Sequence, residues 1–72
     1  MTARRFHRDL YRGAAVDEAI KVYARFATIT PVEEDAYWVV EIEASSPARE
    51  NQIADELGNY ALGLTIRSRA AP

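Results

Sequence analysis

Seventy-two residues without one cysteine limit the chain to a single small domain and exclude both a disulfide framework and a thiolate-held metal or cluster. A hydrophobic fraction of 49%, with one Trp, four Tyr and two Phe, predicts a packed core rather than disorder. The formal net charge is only −2, but Arg4, Arg5, Arg8 and Arg12 crowd the start, Arg67 and Arg69 the end, and the middle is acidic.

Residues 3–10 read as a first strand. Phe6 and Leu10 share one face, yet Arg4 and Arg8 lie on it too, which predicts a partly exposed or bulged strand. Arg12-Gly13 leads into a helix over residues 14–26, with Gly13 as a weak N-cap. Val16, Ala19, Ile20, Tyr23 and Ala27 recur at helical spacing, while Asp17, Glu18, Lys21 and Arg25 take the opposite side. Residues 27–32 are rich in β-branched side chains and form a second strand. Pro31 lacks an N–H, so that strand is expected at an edge or to end early.

After a polar turn at 33–36, residues 37–44 carry the strongest pattern in the chain. Trp38, Val40, Ile42 and Ala44 alternate onto one face; Tyr37, Val39, Glu41 and Glu43 take the other. Such a strand needs helices on one side only. Ser45-Ser46-Pro47 then marks a helix start, with Ser46 as cap and Pro47 at the first helical position. Ile53, Leu57, Tyr60, Ala61 and Leu64 form the stripe of this second helix. Gly58 and Gly63 each weaken it by roughly 1 kcal/mol relative to Ala. Either Gly63 ends the helix and residues 64–67 make a short fourth strand, or the helix continues through Leu64, the reading favoured here. Residues 68–72 are expected to be a loose tail.

The order β-α-β-β-α, with an optional last strand, predicts an α+β fold: a two-layer sandwich with a small, mostly antiparallel sheet and two helices on one face. A right-handed crossover through the first helix makes strands one and two parallel, with the third antiparallel between them. Residues 1–72 are thus read as one domain.

Little in the chain points to catalysis. His7 and Asp9 are close enough for a carboxylate to orient an imidazole, but no nucleophile or oxyanion hole accompanies them, so a surface histidine is the better reading. Glu41 and Glu43 sit roughly 7 Å apart on one sheet face, and the first strand offers Arg5 and His7 to pair with them. Glu33, Glu34 and Asp35 match no calcium loop, and the three glycines form no phosphate-binding motif. The expectation is a protein that is not an enzyme and holds no cofactor or metal. What remains is the open sheet face, where Tyr37 and Val39 leave apolar surface for a partner or a dimer mate. The basic first strand is the candidate edge for capturing a peptide, since Pro31 disfavours the second. The candidate partner surface is therefore Arg5, His7, Arg8, Tyr37, Val39 and Asn59. Nucleic acid is not expected, because no basic helix with interleaved aromatics is present. No apolar run reaches the roughly 20 residues of a membrane span, and none of signal-peptide length follows the early arginines, so a cytoplasmic location is expected.

One further pattern connects these segments. Residues 6–10 followed by Tyr11, then Ala15-Val16-x-x-Ala19-x-x-x-Tyr23-Ala24-x-Phe26, and later Glu56-Leu57-x-Asn59-Tyr60-Ala61-Leu62 with Arg67 beyond, resemble the HxsD-like family, small proteins of the His-Xaa-Ser systems. The chain departs from that pattern at Arg12-Gly13, where the family has a serine cap, and at Gly58 and Gly63. The resemblance implies an accessory protein acting beside a radical S-adenosylmethionine maturase that modifies a precursor peptide. It brings no catalytic residues with it, and the cluster chemistry would belong to the partner. Asn59, the distinctive element within an apolar helix face, would either read a partner's backbone or bond locally to its own helix. Tyr11 is expected to bridge the strand end to the helix layer.

Overall fold

A computed structural model describes residues 1–70. Along the chain run β1 (Thr2–His7), α1 (Gly13–Tyr23), β2 (Thr28–Glu33), β3 (Tyr37–Glu43) and α2 (Pro47–Ala70). β3, with the cleanest alternation, takes the centre of the sheet in the order β1-β3-β2. Both neighbours pair with it antiparallel, so β1 and β2 share a direction, as a crossover through α1 requires.

Both helices lie on the Val40/Ile42 face. The core joins Phe6, Val40 and Ile42 of the sheet to Val16 and Ala19 of α1 and to Ile53, Ala54, Leu57 and Ala61 of α2. Full burial of side chains such as Ile42, Ile53 and Leu57 contributes about 1.5–3 kcal/mol each. Trp38 packs on the margin of this core, its Nε1–H donating to the Tyr11 carbonyl at 3.0 Å. Across the helix layer, Tyr23 and Tyr60 meet edge-on at 6.1 Å between centroids.

Several boundaries differ from expectation, each for a local reason. β1 stops at His7, because the amides of Leu10 and Tyr11 both turn back to the His7 carbonyl at 3.0 Å. Leu10 is consequently exposed instead of sharing a face with Phe6, and Tyr11 takes the place beside the Phe6 ring, 4.9 Å away. α1 ends at Tyr23, where the Phe26 amide bonds the Tyr23 carbonyl and the chain turns toward β2. Gly13 is the first residue of α1 and not its cap. Its lack of a side chain matters for another reason: a Cβ there would stand 2.9 Å from Cζ2 of Trp38.

α2 does not end at Gly63. It continues as one helix to Ala70, so there is no fourth strand at 64–67, and residues 68–70 are helical instead of loose. The rest of the expected tail, residues 71–72, lies outside the described residues. Two anchors hold the last turns. Thr65, only 1% exposed, accepts the Arg12 amide at 3.1 Å, and the Arg69 guanidinium donates to the Asp9 carbonyl at 2.8 Å. At the other end Ser46 Oγ caps the Arg49 amide at 3.1 Å, as the Ser-Ser-Pro signal predicts. Among the described residues, no helix is long and apolar enough to cross a membrane.

Candidate functional site

Edges are the functional question in a three-stranded open sheet, because an outer strand leaves half its backbone groups unpaired. The Arg8 amide donates to Ala36, continuing the register in which Phe6 faces Trp38 and Arg4 faces Val40. In an antiparallel ladder one residue's N–H and C=O point the same way, and successive residues alternate. Thr2, Arg4 and Phe6 therefore bond to β3, while Ala3, Arg5 and His7 direct their backbone groups outward. The His7 carbonyl is consumed by the following turn. The amides of Ala3, Arg5 and His7 and the carbonyls of Ala3 and Arg5 face outward, and among the described residues no strand pairs with them.

β2 presents a different edge. Glu34 and Tyr37 exchange backbone bonds at 3.2 and 3.3 Å, so Thr30 and Val32 point to β3, and Ile29, Pro31 and Glu33 point out. Pro31 thus falls where its missing N–H costs the sheet nothing and removes a donor from the free edge. β2 is the expected edge strand, and it is a blunted one.

Beside the outer edge of β1 runs a groove of about 390 Å³ against α2, bordered by Arg4, Arg5, Tyr11, Asp55, Gly58 and Asn59. Gly58 keeps it open to the Phe6 ring: a Cβ would come within 3.0 Å of that ring. Two ion pairs flank the edge, Arg4 with Asp55 at 2.8 Å and Arg5 with Glu34 at 3.3 Å. Exposed pairs of this kind contribute about 0–1 kcal/mol, so a competing carboxylate displaces them readily.

The six candidate partner residues fall in three places. Arg5, His7, Tyr37 and Val39 share the open sheet face, where Arg5 is opposite Val39 and the His7 ring meets Tyr37 edge-on at 5.1 Å. Arg8 lies instead at the sheet end, its guanidinium 3.8 Å over the indole of Trp38. Asn59 is exposed on α2, in the helix layer, and joins Arg5 only across the edge groove. Val39 is not the bare residue expected. Flanked by Arg5 and Val32 on the neighbouring strands, it is only 5% exposed.

The carboxylates on that face also find different neighbours. Glu41 lies opposite Ala3 and Thr30, and Glu43 opposite Thr28, so neither meets Arg5 or His7. Arg5 turns to Glu34 of the hairpin instead. His7 Nδ1 accepts the Asp9 amide at 3.2 Å and lies 3.7 Å from its carboxylate. Among the described residues, no group of three His, Cys, Asp or Glu is arranged to hold a metal ion.

Sequence reasoning missed two buried polar groups. Glu50, 3% exposed, accepts the Ala44 amide at 3.0 Å and the Thr2 hydroxyl at 2.9 Å, and lies 3.2 Å from the α-amino group of Met1. The Ala44 hydrogen bond, aided by Thr2 and the amino group and opposed by burial, holds its carboxyl below the ordinary value of 4.5. Glu50 follows the Ser46 cap by four residues, and Arg49 holds the capping-box position, so no local pattern marked its burial. Thr65 was the other, legible as the next i+4 step after Leu57 and Ala61.

These features define a class: a small open-faced α+β scaffold with one blunted edge and one receptive edge. Comparison with protein families, curated proteins and solved structures gives no match for the chain.

Proposed function

We propose that this chain is a non-enzymatic interaction module that captures an extended segment of a partner by strand addition to the outer edge of β1. The difference between the two sheet edges carries this reading: Pro31 blunts β2, whereas Ala3, Arg5 and His7 present backbone groups outward beside a groove. In the setting implied by the HxsD-like resemblance, the partner is a radical S-adenosylmethionine maturase or its precursor peptide. The chain then serves as an accessory that holds one of them and carries no cofactor itself.

Backbone bonding alone is too weak for this task. Five groups at about 0.5–1.5 kcal/mol each reach at most about 7.5 kcal/mol, comparable to the roughly 4–15 kcal/mol that association costs. Side chains in the groove and along the edge must supply the remainder. A homodimer closing through the open sheet face has less to work with, because Val39 is already covered.

The test is to select binders from a displayed library of unstructured peptides and follow amide exchange in their complexes. Protection should appear at Ala3, Arg5 and His7, and Ala3→Pro should abolish capture while leaving the β1–β3 ladder intact. Binders that protect only the open face or the helix layer would refute strand addition.

A further inference from the structure

This inference rests on β1 as a capture edge and concerns the chemistry of what it captures. Three arginines surround the turn that follows β1, and each is bonded to a neutral oxygen. Arg8 Nε donates to the Glu34 carbonyl at 3.2 Å, Arg12 Nη1 to the Ser68 hydroxyl, and Arg69 Nη2 to the Asp9 carbonyl at 2.8 Å. Among the described residues none of the three makes an ion pair. Glu18 lines the same shallow groove as Arg12 without pairing to it. A guanidinium carries five donors, so Arg12 and Arg69 keep most of their hydrogen-bonding capacity, whereas Arg8 is engaged with the hairpin carbonyl and stacked 3.8 Å over the Trp38 indole.

Among the described residues, the opposite end of β1 offers no comparable free charge. Glu50 bonds Thr2 but is buried and paired with the Met1 amino group, and Glu41 projects from the open face of β3 opposite Ala3. The charge that stands out beside the edge is therefore the basic cluster at its His7 end.

A second copy of the chain is a poor occupant. Antiparallel pairing of β1 with itself about a twofold at residue 4, 5 or 6 opposes Arg4 to Arg4, Arg5 to Arg5, or Arg4 to Arg8. Like charges directly opposite destabilise a sheet. We propose that the β1 edge takes an extended acidic segment of a different protein, with its carboxylates beside Arg12 and Arg69. Bidentate contact with a carboxylate is what free guanidinium forks do best.

Two synthetic peptides test this, each with a Thr-Val repeat half and a second half of either glutamates or glutamines. The glutamate peptide should bind about tenfold more tightly at low salt, with the gap closing as ionic strength rises. The pair of substitutions Arg12→Gln and Arg69→Gln, both at exposed side chains, should remove the gap and leave the glutamine peptide unaffected. Near-ultraviolet dichroism of Trp38 confirms that the variant is folded. Equal affinity for the two peptides, with β1 amides protected in both, would overturn the acidic preference and leave strand capture standing. Failure of both peptides to protect β1 would overturn capture itself. A concentration-dependent dimer abolished by Ala3→Pro would make a second copy the occupant.

Discussion

Gly13, Gly58 and Gly63 have equal standing in the sequence but different surroundings. A Cβ on Gly63 meets nothing within 4 Å, so Gly63→Ala removes a helix-interior glycine at no steric cost. It should stabilise the fold by about 1 kcal/mol in denaturant titrations. Gly13→Ala should do the reverse, costing about 1–3 kcal/mol, because the indole it strikes is held by its bond to Tyr11 and by Arg8 stacked above it. Glu50 predicts a pH dependence. Its carboxyl titrates below the ordinary value of 4.5 in the folded chain, so its contribution is complete above that value and is lost as pH falls through the depressed one. Stability measured from neutral to acid pH should fall less steeply in Glu50→Gln than in the parent.

The strands and helices differ in how firmly each is held. β2 is exposed along most of its length and meets the helix layer chiefly through Ile29, whereas β3 is paired on both sides. Native-state amide exchange should therefore find β2 opening first and β3 with the middle of α2 last. Slow exchange throughout β2 would contradict the packing described. The blunted edge makes its own prediction. Pro31→Val restores an outward N–H, and apparent mass in sedimentation should then rise with concentration more steeply than the parent's. α2 illustrates how tertiary anchors extend an element: a helix of about 36 Å continues past a glycine because Thr65 and Arg69 tie its last turns to the chain around residues 9–12.

At the scale of the whole molecule, a chain of this length buries only about 60% of the surface it exposes when unfolded, and its margin of stability is correspondingly thin. One core joins both helices to β1 and β3, so thermal unfolding should be a single transition by circular dichroism and by Trp38 fluorescence alike. Non-coincident transitions would mean that the layers unfold separately. Much of this architecture is legible in the residues. Alternation at 37–44 and helical spacing in the two helices state which face each element must bury, because burial of apolar surface is the dominant force and follows local periodicity. Ser46 and Pro47 mark the start of α2, and Pro31 marks an edge, since caps and missing amides act within a few residues. Register does not act within a few residues. That Arg5 meets Val39 and not Glu41, that Glu50 is buried, that Gly13 and Gly58 lie under aromatic rings, and that Arg8, Arg12 and Arg69 gather at one end were decided only when separate segments packed together, because distances between remote residues are set by the joint fit of all the layers.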